Sequence, residues 1–213
     1  EIPYVTTVWD VQHLTHPWFP EVAANWTWDH RELFFRRHLR RATAVIVGTQ
    51  VGREELVRYF GVPEEHIAIL PHPTPGFALR AAGEGVAPKP PASVPRDYIF
   101  YPAQFWPHKN HVNLLRALQL LVKADADAPA LVLVGSDKGN RAFVERCAAD
   151  LGISHKVIFP GFVSSEELIG LYRNARALVY PSFSGPENLP PLEAFALGCP
   201  AVVSNYKGAA EQL

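Results

Sequence analysis

The chain has little of the material from which several kinds of protein are built. Only Cys147 and Cys199 are cysteines, both in apolar surroundings (ERCAADL and LGCPAVV), which allows one disulfide but gives it no support, and buried reduced thiols are expected. Twenty lysines and arginines against 21 aspartates and glutamates leave a formal charge of −1, which makes no electrostatic case for nucleic acid as a partner. No apolar run approaches the ~20 residues that cross a bilayer, and no signal peptide leads the chain. A cytoplasmic protein fits these absences. An initiating methionine is also lacking. The chain opens directly in a strand-like run and stops at Gln212-Leu213, as a piece of a longer protein would.

What is present is enough for a substantial core, since a chain of 213 residues can bury roughly 70% of its unfolded surface. Strand-like runs at Tyr4–Trp9, Ala44–Val47 and Ile67–Leu70 alternate with helical patterns near Thr27–Arg41 and Gly52–Phe60, and Gly61 and Pro63 supply the stop signals of the second helix. Seven of the 20 prolines then fall between Pro71 and Pro95. That stretch has no sustained periodicity, so residues 75–97 read as a linker after a partial α/β domain at 1–74. From 98 to 213 the alternation is regular, with strand-like runs at Tyr98–Tyr101, Leu131–Val134, Val157–Phe159, Ala177–Tyr180 and Ala201–Val203. Leu114, Leu115, Leu118, Leu121 and Val122 follow the spacing of a buried helical stripe, and Ser164 with Glu167 fits a capping box. Repeated strand–helix units with apolar strands predict an α/β fold, a doubly wound parallel sheet covered on both faces.

In such sheets ligands bind beyond the carboxyl ends of the strands, and the unusual polar residues and glycines of this chain concentrate there. Asp10 and His13 follow the first run; Gln104, His108 and Lys109 follow Tyr98–Tyr101; Gly135 and Ser136, then Gly161 and Phe162, follow the next two. The richest stretch is ALVYPSFSGPENLPPLEAFALG, in which a short strand opens into a polar loop and then a helix beginning near Pro190, with Glu193 inside its first turn. Free amides at a helix N-terminus and the dipole of roughly +0.5 charge suit an anion. Lys109 supplies a point charge for phosphate, and a carboxylate beside that anion can hold ribose hydroxyls. For Glu193 the competing reading is stabilisation of its own helix. Asp10 and His13 could form a general-base unit or anchor a turn.

Two other features carry less. Asp125 and Asp127 resemble a divalent-metal pair but fall at the amino end of the sheet, as a solvated turn, and no metal is expected. The run FFRRHLRR (Phe34–Arg41) sets an apolar stripe of Trp28, Phe35, Leu39 and Ala42 against arginines, which fits a core-facing helix or, alternatively, attraction to anionic lipid.

Together these residues resemble the retaining nucleotide-sugar glycosyltransferases of glycosyltransferase family 4. YIFYPAQFWPHKNHVNLLRAL is similar to the segment that opens the family's donor domain and supplies a phosphate-binding lysine, here Lys109. VIFPGFVSSEELIGLYRNARALVYPS resembles the stretch flanking the nucleobase, which contains Gly161 and Phe162. LPPLEAFALGCPAVVSN resembles the end of a paired-glutamate motif whose second member, Glu193, holds the donor ribose. TVWDVQHL and AVIVGTQVGREELVRYFGVPEEHIAILP look like part of the acceptor domain. The resemblance implies two Rossmann-like domains in the GT-B arrangement and transfer, without a metal or cofactor, of a sugar from a nucleoside diphosphate sugar such as GDP-mannose. It also implies a saccharide or lipid-linked acceptor, a role in bacterial polysaccharide or glycoconjugate synthesis, and peripheral contact at the inner face of the membrane. Gln104, Lys109, Gly135, Ser136, Gly161, Phe162, Glu187, Asn188, Leu189 and Glu193 are the expected donor-binding residues, with Lys109, Asp10 and His13 near the chemistry.

Three positions depart from the family pattern. Gly185 stands where the first glutamate belongs, with Glu187 nearby as a substitute; Gln104 stands about where an arginine accompanies the lysine; Trp9 replaces a histidine before Asp10. The glycine-rich acceptor loop and the carboxyl-terminal crossing helix have no counterpart in the chain. A nucleotide-sugar epimerase on the same plan, or a module that binds nucleotide without transferring sugar, would share these features.

Overall fold

The computed structural model describes residues 2–83, 85, 88–185 and 187–212. They form two compact units. The first comprises Glu1–Pro73, Ser184–Asn188 and Asn205–Leu213; the second comprises Thr74–Phe183 and Leu189–Ser204.

In the first unit β1 (Val5–Thr7), β2 (Ala44–Val47) and β3 (Ile67–Ile69) lie side by side in sequence order, all parallel, with Val5 opposite Ala44 and Val45 opposite Ile67. Short helices α1 (Gln12–Thr15) and α2 (Pro20–Ala23) lead to α3 (Thr27–His38), which ends in a 3-10 turn over Leu39–Arg41; α4 (Gln50–Phe60) joins β2 to β3. The Thr49 hydroxyl accepts the Gly52 amide at 3.0 Å and so caps α4, two residues earlier than Gly52 predicts. Gly61 closes it at φ 60°, where a side chain would be strained. Val8, Leu39, Val45, Leu56 and Phe60 make its core.

The second unit opens with α5 (Gly76–Ala82) and continues through β4 (Tyr98–Pro102), α6 (His111–Ala124), β5 (Ala130–Val134), α7 (Arg141–Asp150), β6 (Val157–Ile158), α8 (Ser165–Asn174), β7 (Leu178–Tyr180), α9 (Leu189–Ala196) and β8 (Ala201–Val203). All its strands are parallel, in the order β6-β5-β4-β7-β8. Phe100, Tyr101, Leu131, Val132 and Leu178 are fully buried, as expected of strands covered on both faces. The Ser164–Glu167 capping box forms in full at the start of α8. On α6, Leu114, Leu115 and Leu118 face the sheet, but Leu121 is 47% exposed because the stripe rotates off the sheet in the last turns.

The stretch read as a linker from 75 to 97 is not one throughout. Its residues Glu84, Val86 and Ala87 lie outside the described residues. Before them α5 buries Ala78 and Ala81, and the Ala81 carbonyl accepts a bond from Arg173 of α8. After them the backbone at Lys89 passes so close to Gly170 that a Cβ there would come within 2.7 Å of it. Proline content marked irregular backbone correctly, but small side chains let that backbone pack. The ends of the 98–213 segment also divide differently from the sequence expectation. The Glu211 carboxylate of α10 (Ala209–Gln212) accepts the Gln50 and Val51 amides at 2.5 and 3.0 Å, holding this tail to the first unit.

His111 opens α6 and is 2% exposed, stacked on Phe105 at 4.7 Å. Burial lowers its pKa to about 4, with the charges of Lys109 and His108 acting the same way; the Ala103 carbonyl pulls in the opposite sense, although neither ring nitrogen completes a hydrogen bond. The folded protein therefore binds this proton less readily than the unfolded chain. Stability is retained above the ordinary value of 6.5 and lost as pH falls towards about 4, by about 3 kcal/mol. His111→Phe is expected to remove much of that slope, measured by denaturant unfolding between those pH limits. An unchanged slope would assign it to other groups.

Candidate functional site

The strand order of the second unit reverses between β4 and β7. Chain direction runs outward through β5 and β6 on one side and through β8 on the other, so the loops leaving β4 and β7 splay apart at their tips. This is the position at which open α/β sheets form their ligand crevice. Three hydrogen bonds hold the two loops side by side at their bases. The Phe183 amide donates to the His108 carbonyl at 2.9 Å, the Asn110 side chain to the Pro181 carbonyl at 2.8 Å, and the Ser182 hydroxyl to the His108 carbonyl at 3.4 Å. From β8, the Ser204 hydroxyl donates to the Ser182 carbonyl at 2.5 Å.

Lys109 ends a 3-10 turn over Pro107–Lys109 at this junction, and Asn110 (φ 61°) turns the chain into α6. Its ammonium donates to the Tyr180 hydroxyl at 3.1 Å and lies 5.4 Å from that ring, while the Tyr101 hydroxyl holds its carbonyl at 2.5 Å. Sequence reasoning did not anticipate the two tyrosines. They come from neighbouring strands, and only the sheet brings them to one lysine.

Glu193 is one residue beyond the first turn, because α9 begins at Leu189 and carries no acidic residue in that turn. Stabilisation of its own helix dipole is therefore not its role. Instead the Tyr172 hydroxyl of α8 donates to Oε2 at 2.5 Å. Burial raises the Glu193 pKa and the tyrosine bond opposes that rise. One carboxylate oxygen is thus fixed, and Oε1 accepts no hydrogen bond among the described residues.

The other rim residues fall in strand order. Gln104 follows β4 with its side-chain oxygen accepting the Trp106 indole N–H at 2.9 Å. After β5, Gly135 is a packing requirement: a Cβ would collide with the Ala103 carbonyl and stand 2.9 Å from the Gln104 nitrogen. The Ser136 carbonyl accepts the Phe105 amide at 3.1 Å. After β6, Gly161 (φ 82°) turns in open space and Phe162 is 96% exposed. A cavity of about 570 Å³ opens at the opposite rim, near Asp97, Asp127 and Lys156. It lies on the wrong side of the sheet for these residues. Asp125 there accepts the Asp127 amide at 2.9 Å, a self-capped turn, and no metal-holding cluster occurs among the described residues.

In the first unit the proposed pairing of Asp10 with His13 is replaced by two other pairs. Asp10 accepts the Gln12 amide at 2.8 Å and the Arg31 guanidinium at 2.5 Å, which makes it a turn anchor. His13 is fully buried against Phe35 and Phe60, hydrogen-bonded to Glu32 at 3.2 Å. Burial lowers its pKa, the Arg31 charge adds to that, and Glu32 opposes it. A ring with no solvent exposure reaches no substrate in this arrangement. Glu187 is also placed firmly: it accepts the His72 amide at 2.6 Å and fills the space above Gly48, where any Cβ would overlap it. His72 in turn stacks on Trp9 at 4.6 Å. The Asn188 amide donates to the Gln212 side chain at 3.0 Å, so it is already engaged. Pro186, between these residues, lies outside the described residues.

The doubly wound parallel sheet of the second unit, ordered β6-β5-β4-β7-β8, is the α/β architecture of GT-B proteins. Residues 87–213 match the family Glycosyl transferases group 1, and the chain belongs to that family. Among relatives, it is 28% identical to O-antigen chain mannosyltransferase B of Escherichia coli over 94% of this chain and 52% of that protein. It is 33% identical to O-antigen chain mannosyltransferase RfbU of Salmonella typhimurium over 51% of this chain and 30% of that protein. Among solved structures, WaaG, a glycosyltransferase involved in lipopolysaccharide biosynthesis, superposes with TM-score 0.76 at 20% identity, covering 99% of this chain and 59% of that one. Anabaena Alr3699/HepE, in complex with UDP and glucose, superposes with TM-score 0.71 at 18% identity over 98% of this chain and 55% of that one. The chain spans about half the length of the O-antigen mannosyltransferase B that it matches.

Two outcomes are expected from this geometry. Gly135→Ala meets backbone while Gly48→Ala meets only the end of the Glu187 side chain, so the first should destabilise more, by about 1–3 kcal/mol; equal denaturation midpoints would contradict it. Tyr172→Phe should raise the Glu193 pKa further, followed by NMR titration of the Glu193 carboxyl carbon, and cost about 1–2 kcal/mol of stability. A fall in that pKa would reverse the assignment.

Proposed function

We propose that the protein to which this chain belongs transfers a sugar from a nucleoside diphosphate sugar to an acceptor hydroxyl, with retention of anomeric configuration and without a metal. The observation that carries this reading is the coupled pair of loops at the β4–β7 switch point, with the Lys109 ammonium beside them. Departure of the diphosphate builds negative charge, and a preorganised ammonium stabilises that charge without reorganisation at the moment of reaction. Lys109 takes this role, with the amide end of α9 at Leu189 adding its dipole.

Glu193 holds the donor ribose through Oε1 while Tyr172 keeps Oε2 in place, fixing the register of the sugar. The exposed Phe162 ring offers a face for the nucleobase, and Gln104 and Ser136 border the same rim. Glu187 stands in for the glutamate that Gly185 replaces, positioned by the His72 amide. Asp10 shapes its turn through Arg31, and His13 supports that turn from within. GDP-mannose is the donor we favour, because two relatives are mannosyltransferases of O-antigen chains. By the same argument the acceptor is a growing saccharide, lipid-linked, and the site of action is the cytoplasmic face of the membrane.

Calorimetry of the chain against GDP-mannose, UDP-glucose and the free diphosphates tests the donor reading. Lys109→Ala should weaken diphosphate binding by about 10- to 100-fold, as expected for a charge-assisted bond of about 1.5–3 kcal/mol, while the melting temperature stays close to that of the parent. Unchanged affinity would remove the lysine from the site. Glu193→Ala should weaken nucleotides but not inorganic pyrophosphate, and equal loss for both would place it elsewhere. The anomeric proton signal of the product from the intact protein reports retention, and release of free sugar without an acceptor would favour an epimerase.

A further inference from the structure

The three parallel strands of the first unit end at one edge, and residues that follow each of them meet there. Trp9 follows β1, Gly48 follows β2 and His72 follows β3. The rings of Trp9 and His72 stack at 4.6 Å, 7° from coplanar. His72 is itself fixed from behind. Its amide donates to Glu187 Oε1 at 2.6 Å, and its Nε2 lies 3.9 Å from Oε2. The Glu187 carboxylate in turn occupies the space that only a glycine at position 48 leaves free. One face of the indole is thus backed by an imidazole that is held in place. The other face makes no ring contact among the described residues, and Trp9 is 63% exposed.

A single exposed apolar side chain is ordinary. This one differs in two respects. Val8 and Val11 on either side of it are buried, so the chain turns the indole out of a core that it enters immediately before and after. The indole plane is also set by side chains from other loops, at the sheet edge where ligands of parallel sheets bind. Charge narrows the ligand class. Asp10 is paired with Arg31 at 2.5 Å, Glu55 lies 3.7 Å from Lys207, and Glu187 is engaged by the His72 amide. With its carboxylates matched, the surface has no surplus negative charge to favour a cation, the other natural occupant of an indole face. It suits a neutral ring with one apolar face and a polar rim. Asp10 uses Oδ1 for both of its side-chain bonds, and Oδ2 accepts none among the described residues. Beside the indole, a hollow of about 10 Å³ is lined by Trp9, Asp10, Gly48, Thr49 and Glu55. That is room for one water or one hydroxyl, but not for a ring.

We propose that Trp9 is a stacking platform for the pyranose ring of a saccharide. The ring C–H groups lie on the free indole face, whose π-electrons carry partial negative charge. One ring hydroxyl enters the hollow and donates to Asp10 Oδ2. The acceptor saccharide and the sugar of the donor present the same chemistry, and the test separates them. The ligand class rests on the reading of the protein as a sugar transferase.

The test is saturation-transfer NMR of the full chain with methyl α-mannopyranoside, and with GDP-mannose compared with GDP. Saturation is expected at the C–H protons of one ring face. Trp9→Ala should weaken binding of the sugar that uses the platform about tenfold, and Trp9→Tyr should restore most of it. His72→Ala keeps the backbone bond to Glu187 but removes the backing ring, and should weaken binding about threefold. Circular dichroism and melting should stay unchanged, because the indole stands in the open. Loss confined to the methyl glycoside assigns the platform to the acceptor; loss confined to GDP-mannose, with GDP unaffected, assigns it to the donor sugar. Absence of saturation with both sugars, or equal binding by the parent and Trp9→Ala, overturns the proposal. So does displacement of the sugar by tetramethylammonium, which would make this a cation site, or an equal loss for GDP, which would make it a nucleobase site. GDP affinity of the parent chain reports the diphosphate site separately, so failure of the donor reading is distinguishable from failure of the platform.

Discussion

The bond from the Phe183 amide to the His108 carbonyl, with the Asn110 side chain reaching Pro181, ties two loops that the chain separates by more than seventy residues. A parallel sheet in the order β6-β5-β4-β7-β8 leaves a gap between outgoing loops at one place only, and these bonds span its base. The rest of the site depends on them. They set the height of Lys109 above the sheet and aim the chain from β7 towards α9. Tyr101 and Tyr180, fully or nearly buried beneath, keep the lysine turn from settling into the core.

Around this junction the electrostatics are uneven in a useful way. A cation sits at the rim, a neutral buried histidine stands directly behind it, and a carboxylate is held in partial burial by one phenol. Burial alone would push Glu193 towards its protonated form, and the Tyr172 hydroxyl resists this while leaving one oxygen uncommitted. His111 is held towards its neutral form by burial. Both residues act through desolvation, so both depend on how tightly α6, α8 and α9 close over the sheet.

Much of the fold was legible along the chain. Apolar runs marked each strand to within a few residues, Gly61 and the Ser164–Glu167 pair marked helix ends, and the rim residues were picked out by their place after strands. The failures share a cause. Asp10 and His13 stand three apart, which allowed a general-base pair or a turn anchor; the turn reading fits Asp10, but the partners Arg31 and Glu32 come from a helix whose docking no local pattern reveals. Residues 75–97 looked unstructured from proline content, yet Gly170 admits their backbone and α5 fits beneath α8. Glu193 was assigned to the first turn because Pro190 is a favoured opening residue, whereas the helix begins one residue earlier and the carboxylate clears the dipole.

Periodicity, caps and the succession of strands and helices are local properties, carried by side-chain spacing and backbone preference. They were enough to establish an α/β class and its parallel sheet, whereas the family that residues 87–213 match came from the resemblance of particular motifs. Strand order is a different matter, because each crossover is free to return on either side of its predecessor. That choice created the gap between β4 and β7, brought Tyr180 to Lys109, and matched Glu193 with Tyr172. Each of these pairs joins residues far apart along the chain, and only the packed structure brings them within bonding distance.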